Sequence, residues 1–290
     1  MGDIQHQPAA ANKANFTNLY NDDDPRAYLT TLAPLQYTIP QQVQPLFQRL
    51  YKLSRRDKAT SAILDVCCSY GINGGLLKHD VNMESWTARY VDSELRPSEQ
   101  VQADKEFFSS PARSSKPVVF GLDTSTQAIR YALDVNLIDA GWSDNLEIND
   151  PSQDLCRALR DVSLIICTGG AGYVGSRTFG RIMKATGKPT NVWVVSTVIR
   201  MVPYDNVAAT LREYGLETEK LPGVVLRQRR FASAQEQADI ISDVAARGLN
   251  TSGFEDQGYL CAEVYISRPA ADVMRPPVAD LVKDFYSAHI

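Results

Sequence analysis

Ser61–Gly75 reads SAILDVCCSYGINGG, and Val118–Ile129 reads VVFGLDTSTQAI. Each is a short apolar run that closes on an aspartate, Asp65 in the first and Asp123 in the second, and each then leads toward a helix. A strand, a tight turn and a helix, followed by a second strand that closes on an acid, are typical of an open α/β sheet that binds a nucleoside-containing ligand. The two stretches therefore predict a doubly wound sheet with its ligand site at the ends of these strands.

The turn after Asp65 favours an adenosine ligand without phosphates. A dinucleotide site would have G-x-G-x-x-G here, and a triphosphate site would have G-x-x-x-x-G-K-[ST]. This turn has neither pattern, and its tightest positions hold Cys67, Ser69 and Gly71. Cysteine and serine are still small enough to let the backbone approach a ligand. S-adenosylmethionine (SAM) is the common ligand of this kind.

On these residues the chain resembles the class I SAM-dependent methyltransferases, whose first motif reads acid-x-Gly-x-Gly-x-Gly. Asp65 matches the acid and Gly71 the last glycine, while Cys67 and Ser69 replace the first two glycines. The second motif of that family is an acid ending the second strand, which Asp123 matches. The resemblance spans roughly residues 60 to 270, a fold-sized unit. In an unrelated doubly wound fold, both aspartates could instead be helix N-caps.

The resemblance implies a mostly parallel seven-stranded sheet of the Rossmann-like methyltransferase type, with SAM as cosubstrate or sole substrate. It implies that SAM is bound by the two motifs and by the loops after the later strands. The expected binding residues are Asp65, Cys67, Ser69, Gly71, Asp123, Thr124, Asn149, Asp150, Thr168 and Gly169. Asn149 and Asp150 are expected beside the adenine amino group, after a third strand.

Composition narrows the class of protein. The 290 residues carry a formal net charge of −4, which argues against a nucleic-acid surface, and the short basic cluster Arg227–Arg230 is read as a solvated strand face. Five cysteines lie in or beside apolar runs without a C-x-x-C pair, which fits a reducing, cytoplasmic location and no metal site. No apolar run is long enough to span a membrane.

The chain divides into three predicted parts. Residues 1–24 are polar and predict a disordered tail. Residues 25–58 predict a helical N-terminal cap, because Val43, Leu46, Phe47 and Leu50 recur at helical spacing. Residues 59–290 form the SAM-binding α/β domain, with a long insertion at 79–116 that contains two short helices. In the resembled family such a cap often covers the cofactor, and packing alone is the alternative.

Apolar patterns predict the remaining elements of the sheet. A long helix is expected at Thr126–Ala140. The later strands are expected at Asn145–Ile148, Val162–Thr168, Val192–Val202, Val224–Phe231 and Tyr259–Ser267, with the last two antiparallel to each other, and a last short helix is expected at Leu281–Ala288.

The glycine-rich stretch Thr168–Ser176 follows the strongest strand and predicts a loop at the reacting end of the site. Tyr173 within it is the first catalytic candidate, because an aromatic face attracts a cationic sulfonium. Asn136 is the second, as an amide inside an otherwise apolar helix face. His79 beside Asp80 is a general-base alternative, although a histidine at a helix C-terminus more often has a structural role.

Two reactions of SAM fit the sequence. The first is methyl transfer to a small molecule. The second is intramolecular cyclisation of SAM to azetidine-2-carboxylic acid with release of methylthioadenosine, as in the methyltransferase-like azetidine-2-carboxylate synthases, which the chain is similar to in its cap, its long insertion and its lack of a clear base. A catalytically silent SAM-binding subunit is a third reading. The methyl acceptor and the oligomeric state stay open, and a homodimer is one option.

Overall fold

The computed structural model describes residues 21–55, 61–110, 112–274 and 276–281. Within them seven strands form one sheet in the order β3-β2-β1-β4-β5-β7-β6. The strands are β1 (Ala62–Val66), β2 (Val118–Leu122), β3 (Ala140–Trp142), β4 (Val162–Thr168), β5 (Trp193–Ile199), β6 (Leu216–Arg230) and β7 (Tyr259–Pro269).

Strands β1 to β5 run parallel to one another, and β7 is antiparallel to both β5 and β6. The predicted doubly wound, mostly parallel seven-stranded sheet is therefore confirmed, together with its antiparallel final pair. Strand order reverses at β1, which lies between β2 and β4, and this is where open α/β sheets bind ligands. Because β6 runs in the same direction as β5, its C-terminal end lies at the same edge of the sheet.

Helices cover both faces of the sheet. They are α1 (Arg26–Leu32), α2 (Ile39–Ser54), α3 (Ile72–Lys78), α4 (Met83–Ala88), α5 (Pro97–Ser109), α6 (Thr126–Asp134), α7 (Gln153–Ala158), α8 (Ser176–Thr186), α9 (Asp205–Glu213), α10 (Ala234–Ala246) and α11 (Val278–Leu281). The strands are apolar on both faces, as expected of parallel strands under two helical layers. Leu64 and Ile165 pack in one core with Phe179 of α8, whereas Ile63 and Leu164 pack in the other with α2.

The predicted third strand at Asn145–Ile148 and the predicted helix end at Ala140 are both wrong. Helix α6 stops at Asp134, and the short strand β3 begins at Ala140. Asn136 follows the helix with φ +60°, a left-handed conformation that asparagine tolerates well at helix ends. A Cβ on Gly141 would lie 2.9 Å from both Ile129 and Ile138, so close packing requires glycine in β3 and hides its strand character. The sequence also gave no indication of α10.

The N-terminal segment contains two helices, α1 and α2, and α2 buries Val43, Phe47 and Leu50 against the sheet. Of the predicted disordered tail, residues 1–20 lie outside the described part of the chain. Residues 21–24 contradict the prediction, because Asp24 is buried and accepts hydrogen bonds from Arg26. Cap residues 56–58 and most of the predicted last helix also lie outside the described residues.

The insertion contains α4 and α5, the two short helices expected there. It is tied to α6 by the buried Asp104, whose Oδ2 accepts hydrogen bonds from the hydroxyls of Tyr90 and Tyr131 at 3.0 and 2.8 Å. The buried indole of Trp86 also donates to the Tyr90 hydroxyl. This network anchors the insertion to the outside of the sheet domain. In the part of the chain that is described, no helix combines the length and apolarity that a membrane span requires.

Candidate functional site

A cavity of about 550 Å³ opens at the carboxyl edge of the sheet, beside the reversal in strand order. Its walls come from the turn after β1, the ends of β2 and β4, the segment after β3, the last residues of β6 and the N-terminal helices. This volume is within the usual range for small-molecule sites, about 300 to 1,000 Å³. This cavity lies at the strand ends where the sequence predicts a ligand site.

The turn after β1 has an alternating left-handed backbone. The φ angles are +60° at Cys67, +51° at Ser69 and +78° at Gly71. Left-handed backbone is uncommon in residues other than glycine and costs on the order of 1 kcal/mol or more at each position. The chain therefore keeps a glycine-type backbone at all three alternate positions although two hold other residues. Cys67 and Ser69 line the cavity, whereas Gly71 packs against Ala132 and Leu137 behind it.

Asp123 faces this turn from the end of β2. Its Oδ2 accepts a hydrogen bond from the Ser69 amide at 2.9 Å, and its Oδ1 accepts one from the Ser125 amide at 3.0 Å. Burial raises the pKa of Asp123, and the two amide donors act in the opposite direction. Each carboxylate oxygen has a second lone pair, so the group can still accept hydrogen bonds from a ligand. Thr124 lies next to it on the cavity wall.

Asp65 lies beneath the cavity and does not line it. It is completely buried, and its Oδ1 accepts a hydrogen bond at 3.0 Å from Asn73, which also donates to Thr168 Oγ1. Burial raises the pKa of Asp65 to about 8. Among the described residues, three buried oxygens here have no hydrogen-bond partner: Asp65 Oδ2, Asn73 Oδ1 and Ser69 Oγ. Buried oxygens rarely stay unpaired, so these three atoms require a hydrogen-bond partner, which water or a ligand can supply.

The segment after β3 supplies the wall beside Asp123. The cavity is lined here by residues 144–148, including Asn145 and Leu146. Asn149 and Asp150, expected at this place, do not line it. Both are exposed, and Asp150 pairs with Arg181. The displacement follows from the true position of β3, which ends six residues earlier than the predicted strand.

Glu147 was missed by the sequence analysis. Its Oε1 accepts hydrogen bonds from the Gly175 amide, the Thr178 amide and the Thr178 hydroxyl, at 2.7, 3.3 and 2.7 Å. The start of α8 has no capping side chain of its own. The Glu147 carboxylate, from a distant segment, therefore accepts hydrogen bonds from the free amides at the start of α8. Its negative charge is also favourable near the positive end of the helix dipole. The only signal of this contact in the sequence was the absence of a capping side chain at the start of α8.

The glycine-rich loop after β4 forms part of the cavity wall, and Thr168 and Gly169, two of the predicted binding residues, line it. A Cβ on Gly170 would lie 2.8 Å from the sulfurs of Cys67 and Cys167, so this loop touches the turn after β1. Tyr173 also lines the cavity, with 54% of its side chain exposed. Helix α8 starts at Ser176, the last residue of the predicted loop, so the loop ends one residue earlier than expected.

The N-terminal cap closes one side of the cavity with Tyr28, Leu32 and Tyr37. The rings of Tyr28 and Tyr37 meet edge to face, with centroids 6.2 Å apart. Burial raises the pKa of Tyr37 to about 12, so this phenol stays protonated at neutral pH. The cap is held against the sheet domain by the Arg230 amide, which donates to the Leu35 carbonyl.

Gln228 and Arg229 line the cavity from the end of β6. The predicted solvated face for this basic cluster is wrong at these two residues, because their exposed fractions are 3% and 1%. The guanidinium of Arg229 makes a two-pronged ion pair with Glu236, with N–O distances of 2.9 and 2.5 Å. A buried charge requires such a partner. Glu236 lies on α10, a helix that the sequence did not indicate, so this ion pair could not be predicted.

Two catalytic candidates lie away from the cavity. Asn136 is exposed at the end of α6 rather than inside a helix, so the basis for its catalytic role is wrong. His79 is buried against Phe108, with ring centroids 5.0 Å apart, and burial lowers its pKa to about 4. Neither lines the cavity.

Chemically, the described cavity wall contains carboxylates, tyrosines, one paired arginine and one thiol, but no histidine or lysine. No cluster of three or more metal-ligating side chains occurs among the described residues. All five cysteines are free thiols. The arrangement can orient a nucleoside and enclose a cationic group between aromatic rings.

No protein-family model matches the chain, and no curated protein matches its sequence. Solved structures with a similar fold include a TehB-like SAM-dependent methyltransferase from Corynebacterium glutamicum, 15% identical, with 77% of this chain and 86% of that chain covered and a TM-score of 0.39. A SAM-dependent methyltransferase from Aquifex aeolicus is 14% identical over 88% and 99% of the chains, also with a TM-score of 0.39. The N-methyltransferase NodS from Bradyrhizobium japonicum WM9, in complex with S-adenosyl-L-homocysteine, is 13% identical over 89% and 94%, with a TM-score of 0.39. TM-scores this low carry no information about the ligand, so the ligand of the cavity is inferred from the residues that line it.

Proposed function

We propose that this protein binds SAM and transfers its methyl group to a small molecule. The observation that carries the proposal is the turn after β1, which is left-handed at Cys67, Ser69 and Gly71 and whose Ser69 amide donates a hydrogen bond to the acid at the end of β2. Residues that pay this conformational penalty at alternate positions are retained where close approach to a ligand requires it. The turn has no pattern for a pyrophosphate or triphosphate, which leaves a nucleoside without phosphates.

The residues present fit each part of SAM. Asp123 would accept hydrogen bonds from the ribose hydroxyls. The unpaired oxygens around Asn73 and Ser69 are acceptors of the kind that the ammonium group of the methionine part requires. Leu122 and Leu146 offer apolar surface to the adenine. This division leaves the sulfonium end near Gly169 and Tyr173, on the side closed by the N-terminal cap.

At that end the chain acts by positioning and by excluding water. Tyr28, Tyr37 and Tyr173 present aromatic rings to a cation, and a desolvated cation–π contact contributes about 2 kcal/mol. The cap keeps bulk water away, which strengthens every electrostatic interaction inside. Holding donor and acceptor in line accounts for much of the rate expected of such a site. Bound SAM supplies an activated methyl group.

Titration calorimetry with SAM and with S-adenosylhomocysteine tests the binding step, and micromolar affinity for either is expected. Protein that binds neither ligand would overturn the proposal. As a control for specificity, NAD⁺ and ATP should bind at least a hundredfold more weakly, since their phosphates find no loop built for them.

Cyclisation of SAM is a second candidate, favoured by the absence of histidine and lysine from the described cavity wall. In that reaction the nucleophile is the amine of SAM itself, which needs no separate acceptor. Incubation with SAM alone, followed by mass spectrometry, separates the two reactions. Methylthioadenosine with an azetidine amino acid would select cyclisation, whereas no turnover without an added acceptor would support methyl transfer.

A further inference from the structure

Gln228 lines the cavity and has a buried acceptor atom. Its side chain lines the cavity with 3% exposure, and its Oε1 has no hydrogen-bond partner among the described residues. Its amide lies against Gly169, where an added Cβ would be 3.3 Å from Nε2. An unpaired buried amide oxygen is costly in a folded protein, so its presence in a cavity points to a ligand that donates a hydrogen bond.

The backbone of β6 is irregular at this residue. Arg227 pairs with Cys261 and Arg229 with Leu260, so two steps along β6 match one step along β7, and Gln228 is the extra residue of a bulge. Neighbouring side chains of a regular strand point to opposite faces. The bulge lets Gln228 and Arg229 both line the cavity, and bulges commonly redirect side chains beside functional sites.

The surroundings of Gln228 combine aromatic rings with little net charge. Tyr37 and Tyr173 lie near enough to each other and to Arg229 to interact electrostatically, and Tyr28 packs on Tyr37. The charge of Arg229 is balanced by Glu236 through the paired contacts described above. The local environment is therefore compatible with a cation and offers no unpaired positive charge to an anionic substrate.

The cavity wall restricts the class of nucleophile, because its described residues include no histidine or lysine and its carboxylates, Asp123, Asp144 and Glu147, each already accept a backbone amide. A hydroxyl must lose its proton as it attacks, which requires a general base within reach. A neutral amine attacks with its lone pair: the S–CH₃ bond breaks, the N–CH₃ bond forms, the electron pair of the first bond stays on sulfur, and the positive charge moves to nitrogen. The resulting ammonium keeps its proton until it reaches water. An amide oxygen that accepts a hydrogen bond from the amine orients the lone pair and favours the growing charge.

We infer that the methyl acceptor is a primary or secondary amine, held by a hydrogen bond to Gln228 Oε1 between the rings of Tyr28, Tyr37 and Tyr173. This inference rests on the proposed methyl transfer from SAM. It assigns Gln228 as the residue that selects an amine over an alcohol or a carboxylate. The tyrosine rings then face a positive charge both before transfer, on sulfur, and after it, on nitrogen.

The test compares probes of matched shape. Benzylamine, phenethylamine and n-butylamine are each offered with SAM to the full chain, beside the alcohol and the carboxylate of the same skeleton, and methylated product is measured by mass spectrometry. At least one amine should be methylated ten times faster than its alcohol and its carboxylate. In Gln228→Leu that preference should fall about tenfold, the factor for one lost hydrogen bond. Affinity for S-adenosylhomocysteine should stay within twofold.

Gln42→Leu is the matched control, since Gln42 donates to the Arg227 carbonyl on the same strand but does not line the cavity. Its amine preference should be unchanged. If Gln228→Leu does not fold, Gln228→Glu keeps the volume and should bind the benzylammonium ion more tightly than the parent protein.

Several results would overturn the inference alone, in protein that binds SAM by calorimetry. These are faster methylation of an alcohol or carboxylate, no methylation of any amine probe, or an undiminished preference in Gln228→Leu. Failure to bind SAM at all, or methylthioadenosine formed from SAM by itself, would instead overturn the proposed function.

Discussion

The Ser69 amide donates to Asp123 Oδ2 at 2.9 Å, so the turn after β1 and the acid that ends β2 hold each other in place. The second carboxylate oxygen is fixed by the Ser125 amide in the same way. Asp123 is therefore oriented before any ligand arrives, and its remaining lone pairs face the cavity. Preorientation of this kind lowers the entropy lost on binding.

Asp123→Ala should weaken SAM binding at least tenfold, because charge-assisted hydrogen bonds from two ribose hydroxyls contribute about 1.5 to 3 kcal/mol each. Calorimetry measures the affinity. Asp139→Ala is the control, since Asp139 also accepts a backbone amide, that of Val119, but lies outside the cavity. Equal losses of affinity in the two variants would show that Asp123 acts only through the stability of the fold.

Backbone strain in the turn gives a prediction about stability. Ser69→Gly and Ser69→Ala both remove the unpaired Oγ, but only glycine relieves the left-handed strain at φ +51°. The glycine variant should be more stable than the alanine variant by about 1 kcal/mol in urea unfolding. Gly71→Ala should be strongly destabilising, because its Cβ would lie 2.9 Å from that of Ala132. If the alanine variant at position 69 were as stable as the glycine variant, the left-handed backbone at this position would not be strained.

The sequence predicted the sheet best where single strands are long and uniformly apolar. Strand β4 was predicted to the residue, since Val162–Thr168 consists of apolar or small residues and all but Thr168 are buried. Strand β3 was missed because it is three residues long and needs Gly141 for close packing. Gln228 and Arg229 were wrongly predicted to lie on a solvated strand face. Their burial depends on a bulge and on Glu236, a partner in a helix that the sequence did not indicate. Such features exist only in the tertiary structure.

The segment that enters α1 is tied over the turn by Tyr70. Its hydroxyl donates to the Asp22 carbonyl at 3.0 Å and accepts from the Asp22 amide at 3.1 Å, beside Asn21 on the cavity wall. Tyr70→Phe should release SAM up to about thirtyfold faster, the factor that corresponds to two lost hydrogen bonds of about 1 kcal/mol each. Stopped-flow fluorescence measures the rate. Tyr51→Phe, which loses a hydroxyl contact to Ser61 away from the cavity, should leave it unchanged.

Tyr173 is expected to act through its ring. Tyr173→Phe keeps the aromatic face and should keep most of the methylation rate. Tyr173→Ala should slow the chemical step about 10- to 100-fold while SAM affinity changes less, because the charge moves during transfer. Single-turnover kinetics at saturating SAM distinguishes the two effects. A phenylalanine variant as slow as the alanine variant would assign the function to the hydroxyl, and unchanged rates in both would place Tyr173 outside the reacting end.

The raised pKa of the Asp65 carboxyl leads to a prediction of how the stability of the fold changes with pH. Its pKa is raised by burial from an ordinary value near 4 to about 8, so between these values the folded protein holds a proton that the unfolded chain has lost. The unfolded chain binds fewer protons, and stability therefore falls as pH rises through this window.

Asp65→Asn keeps an acceptor for Asn73 but cannot ionise. Urea unfolding at pH 5 and pH 8 should show a smaller loss of stability in this variant than in the parent. Burial also raises the pKa values of Asp104 and Asp123, so both proteins retain part of the slope, and the difference between them measures Asp65. Identical slopes would mean that Asp65 is already ionised in the folded protein, with a cation or water donating to its second oxygen.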